Sequence, residues 1–173
     1  IYLKENNLPF LALNRSPEES DFITFNNQMA MNELVTKSLK VNSRPVFLEM
    51  YAENEITVER RQGFMDACKE MAIKSYECLE FQSLEEIDES LLKDLKENNN
   101  SEIIAMNDII ASVFMFKALK YAYKIPGDFS VSGFDGSSVS SVLPCELRTV
   151  SLQINKLGRK AGDWIIKRVL ERD

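Results

Sequence analysis

Short apolar runs alternate with helical patterns along almost the whole chain. Ile103-Ile104-Ala105-Met106 is a continuous apolar run between polar loops, the pattern of a parallel strand covered on both faces. Pro45 to Met50 has the same character. Pro9 to Leu13, Phe22 to Phe25, Ser75 to Phe81 and Phe129 to Phe134 read as further strands. Between them the apolar spacing changes to the helical period. Asn26 or Asn27 caps a helix that runs through Met29, Leu34, Val35 and Leu39. A helix follows near Val58 to Met71, with Phe64, Ala67 and Met71 on one face. Others run from Leu84 to Leu95, from Asp108 to about Tyr123, and from about Asn155 to Leu170. Glu97 to Glu102 is a loop, and Ile125-Pro126-Gly127-Asp128 is a turn marked by proline and glycine.

Strands alternating with helices imply right-handed crossovers and an α/β fold, a doubly wound parallel sheet with helices on both faces. In such sheets the ligand crevice lies at the carboxyl ends of the strands. That rule selects the residues just beyond each strand: Asn14, Arg60 past its loop, Phe81, Asn107 and Asp135.

Each of these side chains has a functional reading and a plainer one. Asn107 can face the crevice with its amide, or simply cap the helix that Asp108 opens. Asp135, in Gly133-Phe134-Asp135-Gly136, can accept two hydroxyl hydrogen bonds, or be a solvated carboxylate in a turn. Arg60 reads as lying at the start of its helix, where a positive charge opposes the helix dipole. That cost points to a forked contact with a ligand oxygen, and a surface arginine is the alternative, with Arg61 beside it. Phe81 offers a flat apolar face for a sugar ring or a base, or is core.

Composition narrows the chemistry. The chain has 173 residues, 45% hydrophobic and 28% charged, enough for one domain or two small lobes. A net charge of −6 gives this piece no footprint for a phosphate backbone. No apolar stretch reaches membrane-spanning length, and the first residues lack a signal-peptide pattern. Cys68, Cys78 and Cys145 are few and odd in number, which suits a reducing cytoplasm. The absence of histidine removes Ser-His and Cys-His catalytic pairs and the usual zinc clusters. No paired-carboxylate acid and base, Gly-rich phosphate loop or metal-ligand spacing stands in their place. The remaining groups suit binding, so no enzyme, cofactor or metal is expected.

Five segments together resemble the lac repressor (LacI/GalR) family. Ser101-Glu102-Ile103-Ile104-Ala105-Met106-Asn107-Asp108-Ile109-Ile110-Ala111 is similar to its strand, Asn-Asp and helix. Ile125-Pro126-Gly127-Asp128-Phe129-Ser130-Val131-Ser132-Gly133-Phe134-Asp135 is similar to its next segment. Arg60-Arg61-Gln62-Gly63-Phe64 resembles its Arg-x-x-Gly-Phe. Leu147-Arg148-Thr149-Val150 and Leu157-Gly158-Arg159-Lys160-Ala161 resemble its later Thr-Val and Leu-Gly-x-x-Ala. A departure is Leu152, where the family commonly has glutamine; here Gln153 comes one residue later.

The resemblance implies a periplasmic-binding-protein-like (type I) architecture of two lobes with a small effector, a sugar or nucleobase, between them. Residues 26–150 would form the C-terminal lobe, residues 1–25 a remnant of the N-terminal lobe, and residues 151–173 the crossover and helix returning to it. It places Arg60, Asn107, Asp135 and Phe81 at effector-contacting positions, with Asn14 where the family often has aspartate. It implies a homodimer, with Val113, Phe116, Val139 and Val142 as candidate surface, although Phe116 reads rather as core. It also implies an N-terminal helix-turn-helix for operator DNA, outside this chain, which would make the chain a fragment of a cytoplasmic transcription regulator. The alternative is the solute-binding protein of a sugar transporter.

Overall fold

The computed structural model describes residues 2–17, 20–39, 43–52 and 54–171. In chain order these form α1 (Tyr2–Glu5), β1 (Ala12–Leu13), β2 (Phe22–Ile23), α2 (Asn27–Ser38), β3 (Pro45–Met50), α3 (Glu55–Glu70) and β4 (Glu77–Phe81). There follow α4 (Glu89–Glu97), β5 (Glu102–Ala105), α5 (Asp108–Lys120), β6 (Ser130–Asp135), β7 (Arg148–Ser151) and α6 (Ile154–Leu170). The chain divides into two compact units, one of residues 1–26 with 152–173 and one of Asn27–Ser151.

The second unit is built on a five-stranded sheet in the order β4-β3-β5-β6-β7, with every neighbouring pair parallel. The central strand β3 buries Val46, Phe47 and Leu48 completely, as its unbroken apolar run requires. On one face Phe47 stacks on Phe64 of α3, 5.2 Å between ring centroids, and Tyr76 meets Phe64 edge-on. α2 packs against α3. Phe114 of α5 meets Phe129 edge-on at 5.2 Å. The doubly wound arrangement follows from strand order: the chain steps from β3 to β4 on one side, then returns past β3 to β5 on the other.

The first unit holds α1, the parallel pair β1–β2, and α6. Its two strands are shorter than their apolar runs because only Ala12↔Phe22 and Leu13↔Ile23 find ladder partners.

Two helices and one strand differ from the pattern along the sequence. The helix expected near Val58 begins at Glu55, because the Asn54 side chain accepts a hydrogen bond from the Thr57 amide. The helix expected from Leu84 is broken in two. A single 3-10 turn, Leu84–Glu86, is closed by Glu86 on the backbone of Ser83, and α4 starts afresh on the Asp88 cap. Ile87, fully buried, sits at the break. β7 has no apolar run to announce it, since Arg148 and Ser151 are exposed and it is an edge strand.

Candidate functional site

The strand order reverses between β3 and β5, and ligands in open α/β sheets bind at the carboxyl ends of strands beside such a switch. At the ends of β5 and β6 the Met106 carbonyl and the Asp135 side chain meet Arg60. It is the sixth residue of α3, in its second turn, so the expectation that it opposes the dipole at a helix start does not hold. Burial is what makes it unusual. Arg60 is 4% exposed. Its Nε donates to Asn27 Oδ1 at 3.3 Å, one terminal nitrogen donates to the Met106 carbonyl at 2.7 Å, and the other donates to Asp135 Oδ1 at 2.8 Å. The guanidinium lies 4.0 Å from the centre of the Phe134 ring.

Burial lowers the Arg60 pKa from its ordinary value, and Asp135, Asp108 and Glu59 oppose the shift. Burial likewise raises Asp135 above the usual carboxylate value, with Arg60 acting against it. Both partners are pushed towards neutrality, so their attraction does not fully offset the loss of water. Such a pair is a poor way to add stability and a good way to fix two hydrogen-bonding groups in place.

Arg61 shows the contrast. One residue further round the helix, it lies 2.7 Å from Glu49 of β3 and 3.2 Å from Glu80 of β4. It ties α3 to β3 and β4 instead of to Asp135 of β6.

The other sequence-predicted residues divide. Asp135 ends β6 with φ 113°, a backbone angle that L-residues rarely adopt, and its side chain is 35% exposed. Asn107 caps α5: its Oδ1 accepts from the Ile110 amide at 2.9 Å, and its amide nitrogen has no partner among the described residues. Both readings of Asn107 are therefore compatible with one side chain. Phe81 ends β4, its carbonyl accepting from the Tyr51 amide, and is 6% exposed. Asn14 belongs to the first unit, where it follows β1 with φ 54° and donates its amide to the Ile23 carbonyl. Its Oδ1 is buried without a hydrogen-bond partner. A concavity of about 810 Å³ within the first unit is lined by Pro9, Phe10, Trp164 and Arg168 and by none of these candidates.

Asn27 and Asp108 were not singled out as site residues from the sequence. Each looks like a helix-capping residue there, and each is fully buried in the structure, against Arg60 and behind Gly133 respectively. Among the described residues no cluster of three His, Cys, Asp or Glu could hold a metal ion, and no helix is long and apolar enough to cross a membrane.

A parallel, doubly wound unit with an arginine and an aspartate paired at its strand ends is the architecture of a periplasmic-binding-protein-like ligand domain. The family model for periplasmic binding proteins and the sugar binding domain of the LacI family matches residues 1–173. The chain belongs to that family, as an effector-binding domain of the LacI/GalR type. It is 26% identical over 121 residues to the NTD biosynthesis operon regulator NtdR of Bacillus subtilis (strain 168), covering 67% of this chain and 36% of that protein. It is 24% identical over 174 residues to the transcriptional repressor PurR of Vibrio atlanticus (strain LGP32), covering 96% of this chain and 52% of that protein. Among solved structures, a LacI family transcriptional regulator from Enterococcus faecium with bound ribose shares the fold. It has a TM-score of 0.83 at 20% identity, over 97% of this chain and 64% of that one. The chain thus spans about a third to a half of these curated relatives.

Proposed function

We propose that the chain binds a small effector, a sugar or a nucleobase, on the strand ends of its second unit, as part of a transcription regulator that reads operator DNA through a separate helix-turn-helix domain. The observation that carries this reading is the buried Arg60–Asp135 pair. A guanidinium has five N–H groups and an ionised carboxylate two acceptor oxygens. Arg60 places three N–H groups on protein acceptors, and Asp135 accepts from Arg60 through one oxygen. The capacity left over is planar and bidentate, suited to vicinal hydroxyls or a base edge. The Asn107 amide adds a donor beside them, and Phe81 the flat apolar face of its ring. Residues 26–150 serve as the C-terminal lobe, with residues 1–25 and 151–173 belonging to the other lobe. The effector acts by population shift, binding one arrangement of the regulator better than another. The relatives, a regulator and a repressor, favour this over the binding protein of a transporter.

A thermal-shift screen of the full-length regulator with D-ribose, other sugars and purine bases tests the site. At least one compound raises the melting temperature, and Asp135→Ala removes that rise. A hit whose effect survives both Asp135→Ala and Arg60→Ala sinks the site assignment.

The same reading includes a homodimer. α5 carries large apolar side chains on its exposed side as well as on its buried one. Its inward face carries Ile110, Ala111, Phe114, Met115 and Ala118, all buried. Phe116 falls on the opposite side and is 52% exposed, not core, with Ile109 and Val142 also exposed. A second copy is the proposed cover. Sedimentation of the regulator is expected to give a dimer at micromolar concentration and a monomer for Phe116→Asp. An unaltered dimer would place the interface elsewhere.

A further inference from the structure

The carboxylate of Asp135 stands on an unfavourable backbone angle, and something must hold it there. The next residue, Gly136, has φ 64°, and a Cβ on it would lie 2.6 Å from the Ser151 Cα on β7. The turn is therefore pressed against β7 and uses the conformational range of glycine. Two consecutive backbone amides in this turn are then tied down. The Gly136 amide donates to the Thr149 hydroxyl at 3.1 Å, and the Ser137 amide donates to Asp108 Oδ2 at 2.7 Å. The Thr149 hydroxyl itself donates to Asp108 Oδ1 at 2.6 Å. Asp108, the first residue of α5, is fully buried and sits in space that a side chain at position 133 would fill. A carboxylate in the first turn of a helix is also stabilised by the helix dipole.

These bonds form one closed arrangement. Asp108 accepts from Thr149 and from Ser137, and Thr149 passes the hold on to Gly136. A hydroxyl is the one small side chain that accepts from an amide while donating to a carboxylate. Valine has the same shape and does neither. The arrangement fastens the two residues after Asp135 to α5 and β7, while Arg60 fastens the side chain of Asp135 from α3.

We infer that Thr149 is a positioning residue for the ligand site: its hydroxyl, held by Asp108, keeps the Asp135–Ser137 turn in the geometry that presents the Asp135 carboxylate to Arg60. This rests on the reading of Asp135 as a ligand-facing group, but its test needs no ligand and so stands or falls separately.

The test is the Thr149→Val variant, read by nitrogen NMR of the Arg60 guanidinium and by amide hydrogen exchange. In the native protein the paired guanidinium gives separate, slowly exchanging terminal N–H signals. In Thr149→Val these signals merge and the Gly136 amide exchanges about tenfold faster, in keeping with the loss of its hydrogen bond. Thr149→Ser, which keeps the hydroxyl, restores both. A role confined to the stability of β7 lowers the melting temperature of the valine variant and leaves the Arg60 signals in place, and that result overturns the inference. If the valine variant does not fold, Thr149→Cys is nearly the same size with a much weaker hydrogen-bonding group. It carries the same pair of outcomes.

Discussion

Replacing Arg60 by alanine lowers the stability of the second unit by about 3 kcal/mol, and its melting temperature by roughly 6–12 °C. Removing one partner of a buried ion pair costs about 3–5 kcal/mol, because the other charge is left without compensation. The low end applies here, since the Asp135 side chain is 35% exposed and keeps part of its water. The Met106 carbonyl and Asn27 Oδ1 also lose a donor, and the Phe134 ring loses the cation above it. Urea unfolding of Arg60→Ala measures the loss. Adding Asp135→Asn removes the stranded charge and recovers at least about 1 kcal/mol, as coupled neighbours do. A loss under about 1 kcal/mol, or a strictly additive double variant, would falsify the picture of Arg60 as the counter-charge of this site. On the proposed site assignment ligand binding is lost as well, irrespective of the stability retained, so the two effects separate in a folded sample.

Phe64→Ala has a comparable effect for a different reason. Phe64 is fully buried between the Phe47 ring, stacked at 5.2 Å, and Tyr76, edge-on at 5.7 Å. Deleting a buried phenylalanine ring leaves a cavity and costs about 3–5 kcal/mol. Phe64 lies one turn beyond Arg60 on α3 and anchors that helix to β3. The urea midpoint falls while the slope of the transition is kept, because the same surface is still exposed on unfolding. A cost under about 1.5 kcal/mol would mean that α3 closes over the gap, and Arg60 would then move with it.

The sheet was legible in the sequence where strands are covered on both faces. Val46-Phe47-Leu48 and Ile103-Ile104-Ala105 are continuous apolar runs because no residue there meets water. β7 was not legible, since an edge strand of Arg148, Thr149, Val150 and Ser151 has no such run. β1 and β2 were overestimated because apolar residues continue past the two ladder pairs. Of the candidate site, Asn107 and Asp135 could be found because strand ends can be located from local pattern alone, whereas Arg60 was reached through a helix start that in fact lies earlier, at Glu55. Their partners could not. Asn27 lies 33 positions from Arg60, and Thr149 lies 41 from Asp108. Nothing local distinguishes a buried Asx residue that serves a distant side chain from one that caps its own helix.

Gly63 carries a consequence of its own. A Cβ at this position would overlap the carbonyl oxygen of Gln28 and lie 3.0 Å from the Met31 Cβ. α2 and α3 thus touch backbone to side-chain-free backbone, and that closeness brings Asn27, the neighbour of Gln28, to the Arg60 Nε. Position 63 admits one letter of the amino-acid alphabet. The reach of the guanidinium is set by an atom that is missing three residues further along the same helix, and any attempt to re-engineer what this domain recognises begins with that letter already spoken for.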